Sequence, residues 1–302
     1  MITVGMSTSS VYPLSTEGAF RLAATAGYDG VEVMITSDPS TRSVDTLRTL
    51  SDRYGMRVLS VHAPVLLLSQ LVWGRDPVGK LERSADLAAQ LGAPVVVAHP
   101  PFRWQRSFAS RFAEIVRATA ERSGVSIAVE NMFPITTRGI TVDAFAPGWD
   151  PTLMDVDAMT LDFSHAASAG LDSLDIARNM GPRLRHVHLC DGITSGRHVD
   201  EHLRPGDGDQ PVAAVLERLA GLGWSGSVVA EINTRAARSE ARRLEMLGVT
   251  LDFARRALSA GSSSARSSSA PPASAGSASA RPARRTPARE VPASTERSLP
   301  RS

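Results

Sequence analysis

Short apolar runs alternate with longer amphipathic stretches along most of the chain, and this rhythm is its strongest structural signal. Runs rich in Val, Ile and Leu predict strands over Ile2–Met6, Val31–Met34, Val58–His62, Val95–His99, Ser126–Glu130, Met159–Phe163, His186–Leu189 and Val228–Ile232. The stretches between them predict helices over Thr16–Ala26, Ser43–Tyr54, Val78–Leu91, Phe108–Ser123, Val212–Leu222 and Ala237–Leu258. Gly27, Gly55, Gly92, Gly124 and Gly223 each follow a helical run, as helix C-termini prefer. Strands that alternate with helices predict a parallel sheet. Eight of them predict an α/β fold closed as a (β/α)8 TIM barrel, which typically takes about 250 residues. The one long connection, Asn131–Asp157, carries the run PGWDP and reads as a loop over one barrel face.

The polar positions add a second pattern. Most of the strands end in a residue able to bind a metal: VLSVHAP with His62, VVVAHPP with His99, SIAVENM with Glu130, MTLDFSH with Asp162 and His165, RHVHLCD with His188, and VVAEINT with Glu231. The loop GRHVDEHLRPGDGD adds Asp200 and His202, with Arg197 and His198 as candidates to reach a substrate. In a barrel the C-terminal strand ends converge on one face, where active sites are built. A single His there is usually a hydrogen-bonded core residue, and a single Asp often caps the next helix. Nine such residues together are costly to pack without a counter-ion. A divalent cation supplies that charge, and imidazole with carboxylate suits Zn²⁺, Mn²⁺, Fe²⁺ or Co²⁺. His186 reads as a barrel-interior residue. Trp73, Phe102, Trp104 and Trp149 fall on loops of the same face, as sugar-stacking rings or as packing for a lid.

Composition then divides the chain. Residues 259–302 hold 13 Ser, 10 Ala, 7 Arg and 6 Pro, with Val291 and Leu299 as the only large apolar residues. Such a segment buries too little to offset its ordering entropy, so a disordered tail is expected over 259–302 after a barrel domain over 1–258. The tail carries a net charge of +5 and the body −3, so the basic pI comes from the tail and is no sign of a nucleic-acid-binding domain. Cys190 is the single cysteine, which excludes a disulfide framework within the chain and reads as a buried thiol. No apolar run suits a membrane span and the N-terminus has no signal-peptide pattern, so a cytoplasmic protein without a membrane partner is expected. Neither G-x-G-x-x-G nor G-x-x-x-x-G-K-[ST] stands at a strand end, which argues against a nucleotide cradle.

Residues 1–258 resemble the xylose isomerase-like TIM barrels, a superfamily that includes sugar (phosphate) isomerases and epimerases and endonuclease IV. The resemblance to the isomerase branch rests on AVEN, TLDFSH, HVHLCD and VVAEIN. It implies one divalent metal (Mn²⁺, Zn²⁺, Co²⁺ or Mg²⁺) held by Glu130, Asp162, His188 and Glu231. Glu130 and Glu231 would double as acid and base in proton transfer next to a carbonyl. The implied partner is a small sugar or sugar phosphate, and an oligomer is compatible with it. The chain is also similar to endonuclease IV, whose three zinc ions are held by nine side chains. His62, His99, Glu130, Asp162, His165, His188, Asp200, His202 and Glu231 match that pattern in order. This alternative implies a zinc-dependent phosphodiesterase on abasic DNA. The DNA-penetrating loops of that family are poorly matched by MITSDPSTRS and HAPVLLLSQL, and the body has a single lysine, Lys80.

Overall fold

The computed structural model describes residues 2–64, 71–137, 140–194 and 200–268. In chain order the elements are β1 (Thr3–Ser7), α1 (Thr16–Ala26), β2 (Gly30–Met34), α2 (Val44–Tyr54), β3 (Arg57–His62), α3 (Pro77–Leu91), β4 (Val95–Ala98), α4 (Arg106–Ala109), α5 (Phe112–Ser123) and β5 (Ser126–Glu130). They continue with β6 (Ile135–Thr137), β7 (Ile140–Val142), β8 (Met159–Asp162), α6 (Phe163–Ala169), α7 (Ser173–Met180), β9 (Leu184–Leu189), α8 (Val212–Gly221), β10 (Ser227–Ala230) and α9 (Glu240–Ser268). The parallel strands close in the order β1-β10-β9-β8-β5-β4-β3-β2, a TIM barrel wrapped by helices.

Local chemistry explains the helix boundaries. Ser15 and Ser43 cap α1 and α2 by accepting from the amides of Gly18 and Thr46. At the other ends Gly27 and Gly55 sit at φ 86° and 65°, left-handed conformations that favour glycine. The strands are buried on both faces, so they read as nearly continuous apolar runs. Leu59 of β3 fills the barrel floor. A Cβ on Gly5 or Gly30 would collide with its side chain, which is why β1 and β2 carry glycine there.

Three expectations need revision. The helix expected over Phe108–Ser123 is interrupted at Ser110–Arg111, between α4 and α5. The long connection after β5 holds a small antiparallel hairpin, with Ile135 paired to Val142. The tail boundary at 259 is also too early, because α9 runs on through Leu258 to Ser268. Leu247, Leu251, Ala254 and Ala257 bury one face of that helix. Gly261 continues it against α8, where a Cβ would overlap the backbone of Glu217. A count of large apolar residues misses a helix that packs through small ones. The remainder of the expected tail, 269–302, lies outside the described residues. Among the described residues no helix is long and apolar enough to cross a membrane.

Candidate metal centre

All nine sequence-predicted cluster residues that fall in the described segments meet at the C-terminal mouth of the barrel; Arg197 and His198 lie outside the described residues. His188 stands at the centre. Its Nδ1 is 2.9 Å from Glu130 Oε1, 3.0 Å from Glu231 Oε2 and 3.5 Å from Asp162 Oδ2. The register explains part of this convergence, since Asp162 of β8 pairs with His188 of β9, and His188 lies beside Val229 of β10. Glu130 divides the cluster. Its Oε1 also lies 3.3 Å from His165 Nδ1, and its Oε2 faces His99 Nε2 at 2.9 Å and His62 Nε2 at 3.4 Å. Beyond His165, Asp200 Oδ2 is 3.5 Å from His165 Nε2, and Asp200 Oδ1 is 3.0 Å from His202 Nε2.

Several of the ligand-type side chains are held from behind. Asp162 keeps the helix-capping role open to any strand-end Asp: its Oδ1 accepts from the amide of His165 at 2.7 Å, while Oδ2 turns toward His188. Asn131 brackets the Asp162 backbone with two hydrogen bonds, accepting at 2.7 Å and donating at 3.0 Å. Ser164 Oγ donates to Asp200 at 2.7 Å and accepts from the amides of Glu201 and His202, which ties the 200–202 loop to α6. Ser9 Oγ donates to Glu231 Oε1 at 2.8 Å.

The histidine rings show what the cluster suits. His62 Nδ1 lies 3.0 Å from the Ala63 carbonyl, His165 Nδ1 2.9 Å from that of Asn131, and His202 Nδ1 2.7 Å from that of Glu231. A carbonyl only accepts, so each Nδ1 carries the proton and a neutral ring presents a lone pair at Nε2. All three Nε2 atoms face carboxylate oxygens. Glu130 Oε2 is itself buried and accepts no hydrogen bond in spite of its two imidazole neighbours. Lone pairs that face each other repel unless a proton or a cation lies between them. Four groups of three within the cluster bring their donor atoms within 4.8 Å of one another: Asp162/His188/Glu231, His62/Glu130/His188, Asp162/His165/His202 and Glu32/His186/His188. The donor set fits a divalent cation.

In the metal-free protein, protons supply the missing charge. Burial disfavours charged His188, but the charges of Glu231, Glu32 and Glu130 outweigh it and hold the ring well above the usual imidazole range. Burial likewise opposes charge on His165 and His202, yet Asp162 and Asp200 lift both well above that range. Glu130 is held well below the usual carboxylate range, because His188, His99 and His165 together overcome its burial. Burial raises Glu231, but His188 dominates and brings it down to about 2. For His99 burial wins, and its pKa falls.

Glu32 is the residue that strand-end reasoning missed. It sits in the middle of β2, fully buried, and reaches across the barrel to β9, which is not a neighbour of β2 in the sheet. Its Oε1 lies 3.1 Å from His188 Nε2 and its Oε2 2.9 Å from His186 Nε2, and Ser60 Oγ donates to Oε2 at 2.7 Å. The sequence signal was a lone carboxylate between Val31 and Val33 in an otherwise apolar strand. His186 lies in the barrel interior as expected, and Cys190 is buried, its thiol pushed up to about 12 by burial. Among the loop aromatics, Phe102 stacks on Trp104 at 4.3 Å and on Phe145 at 5.2 Å, and Trp149 packs with the cluster around Met132 and Phe145.

Comparison with known proteins agrees with the barrel fold. The sequence pattern of the xylose isomerase-like TIM barrel family matches residues 20–248. An uncharacterized protein of Mycobacterium tuberculosis is 50% identical over 276 residues, covering 85% of this chain and 98% of its own. Fructoselysine 3-epimerase of Escherichia coli O157:H7 is 22% identical over 256 residues, covering 76% of this chain and 90% of its own. The crystal structure of a D-tagatose 3-epimerase-like protein superposes with a TM-score of 0.61 at 25% identity, covering 84% of this chain and 98% of that one.

Proposed function

Because the chain belongs to the xylose isomerase-like TIM barrel family, we propose that it is a divalent-metal-dependent isomerase or epimerase of a sugar or sugar phosphate. One observation carries the reading: Glu130, Asp162 and Glu231 converge on a single nitrogen of His188, whose other nitrogen is held by Glu32. Glu130, Asp162, His188 and Glu231 would hold the cation, and carboxylate with imidazole suits Mn²⁺, Zn²⁺, Co²⁺ or Mg²⁺. The cation when bound supplies Lewis-acid polarisation of a substrate carbonyl and hydroxyl.

The chain's own residues supply the proton transfer. Glu130 and Glu231 come from β5 and β10, strands separated by β8 and β9, and so approach a substrate from different directions. Either carboxylate is placed to take a proton from the carbon next to the carbonyl while the other returns one. Glu231 is the more exposed of the two, at 9% against 1% for Glu130. Its Oε1 is oriented by the Ser9 hydroxyl. His62, His99 and His165 surround Glu130 and orient substrate oxygens. A reducing cytoplasm suits a chain whose single thiol is buried.

A second reading is favoured by a specific observation. His62 and His99 on Glu130 Oε2, and the Asp162/His165/Asp200/His202 group, extend the cluster beyond what one ion needs. Three zinc ions held there would make a phosphodiesterase on abasic DNA. Metal analysis of the purified protein separates the two, followed by assays on ketoses, ketose phosphates and one abasic-site duplex. About one ion per chain with sugar turnover supports the isomerase; three zinc ions with duplex incision replace it by the nuclease.

A further inference from the structure

The stretch from the end of β10 into α9, EINTRAARSEARR over 231–243, carries Arg235, Arg238, Arg242 and Arg243. Two of these have partners. Arg235 lies over the Tyr12 ring at 4.7 Å, and Arg242 pairs with Glu245 at 2.6 Å. Arg243 differs. It is only 7% exposed, and its Nε is buried without an acceptor. Its guanidinium makes no hydrogen bond or ion pair among the described residues. Helical spacing explains the burial, since Arg243 shares one face of α9 with the buried Leu247, Leu251 and Ala254. A helical side chain leans toward the N-terminus of its own helix. An inward-facing arginine in the first turn is therefore aimed beneath the turn between β10 and α9.

The start of α9 also has donors to spare. Ser239 caps it by accepting from the Arg242 amide at 3.2 Å, while the amides of Glu240 and Ala241 have no acceptor among the described residues. The carboxylate in this turn is already engaged. Arg21 holds both oxygens of Glu240, at 2.6 and 2.7 Å, and is the main reason that its pKa is lowered; Arg243 adds to this without forming an ion pair. Arg238, exposed directly before the cap, makes no hydrogen bond or ion pair among the described residues.

These features favour one class of ligand. A buried guanidinium is costly without an opposite charge, and its planar fork beside free helix amides matches the oxygens of a phosphate. The place fits as well. β9 and β10 are the seventh and eighth strands of the barrel, and the loops after those strands are where TIM barrels often hold phosphate. Here the two loops are stitched together, with the Asn233 amide donating to the His202 carbonyl at 2.7 Å and His202 Nδ1 to that of Glu231 at 2.7 Å. The same stretch begins at Glu231 of the candidate metal centre.

We propose that the turn between β10 and α9 binds the phosphate group of a sugar phosphate, with the Arg243 guanidinium and the first amides of α9 as donors and Arg238 closing over it. The phosphate site stands on this turn alone; its assignment to a sugar substrate rests on the function proposed above.

Calorimetric titration of the full-length protein with inorganic phosphate tests the site. One equivalent should bind. Affinity should fall about tenfold in Arg243→Met, the scale of a charge-assisted contact, and about threefold in the exposed Arg238→Ala. If melting curves show that Arg243→Met does not fold, Arg238→Ala decides the matter. Affinity unchanged in the folded variants places the anion elsewhere and overturns the site, as does the absence of binding in the parent protein. The substrate half has its own test. A ketose phosphate should displace the bound phosphate, and its KM should rise in Arg243→Met while that of the unphosphorylated ketose stays the same. Phosphate that the substitutions weaken but that no ketose phosphate displaces keeps the site and overturns its assignment to the substrate. Ketose turnover without any phosphate binding keeps the isomerase and removes the site.

Discussion

The mouth of the barrel has two unlike edges. Along β8, β9 and β10 it is acidic, with Asp162, Glu231 and, from the following loop, Asp200 grouped around His188, His165 and His202. Along β3 and β4 it is basic and apolar, with His62, His99, Lys80 and Arg75 beside a cavity free of carboxylates among its lining residues. Glu130 marks the border, one oxygen toward each edge. Strand ends of the same barrel therefore serve opposite electrostatics, because the side chains after each strand, and not the backbone, set the local charge. The carboxylate-rich edge suits a cation, and Glu130 joins it to the other edge through contacts of 2.9 Å to His188 and to His99.

Removing the border carboxylate should have the largest effect. Glu130→Gln keeps the shape but takes a charge that faces both edges. Metal affinity should fall tenfold or more, a loss comparable to those caused even by partners behind the ligands. Isomerase turnover should fall by at least about a hundredfold, the lower range for losing a positioned acid–base group. Metal content measured by elemental analysis, together with turnover, checks this. Full metal and full activity would remove Glu130 from the site.

The acidic edge can be tested from behind. Glu32→Gln leaves every proposed ligand in place but weakens the hold on His188 Nε2. Metal affinity should drop about tenfold, as for other groups that orient a ligating histidine. A large fall in melting temperature alongside it would show that Glu32 supports the whole barrel rather than one ring. His202→Ala then counts ions on the same edge. The metal content should stay near one per chain; a fall from three ions to two would favour the nuclease.

How much of this was legible in the sequence follows the same division. Strand-end residues could be read because a barrel sends every C-terminal strand end to one face, so periodicity alone located His62, Glu130, Asp162, His188 and Glu231. Glu32 escaped because it lies mid-strand and acts across the lumen, a contact that strand spacing does not encode. Asn131 escaped because its role is to bracket backbone atoms from a distant strand. The basic edge escaped for another reason. Arg75 belongs to a βα connection and Lys80 to a helix start, and only folding sets them beside His99. Short helices such as α6 and α7 were left unassigned, since seven or eight residues show little periodicity.

Titration separates the edges by sign. Without a metal, ion pairs hold the acidic edge together. The pKa of Glu231 is depressed from 4.5 to about 2, and Glu130 and Asp200 are also depressed. Their contribution is present above the unfolded values and is lost as pH falls through the folded ones. The pKa values of His165, His188 and His202 are raised from 6.5, so their contribution is complete below 6.5 and is lost as pH rises through the folded values. The melting temperature of metal-free protein should therefore peak between about pH 4.5 and 6.5. A bound cation replaces those protons and should extend the plateau upward. Equal profiles with and without metal would break the account.

The smallest effect is expected from the C-terminal end, and two truncations separate what belongs to the barrel from what does not. Ending the chain after Leu258 removes the last turns of α9, including Gly261, whose lack of a side chain lets the helix lie against the backbone of Glu217. Loss of about 1 kcal/mol there corresponds to roughly 2–4 °C in melting temperature for a domain of this size. Ending it after Ser268 keeps that packing and removes a segment with almost no large apolar residues, so the melting temperature should move by no more than about a degree.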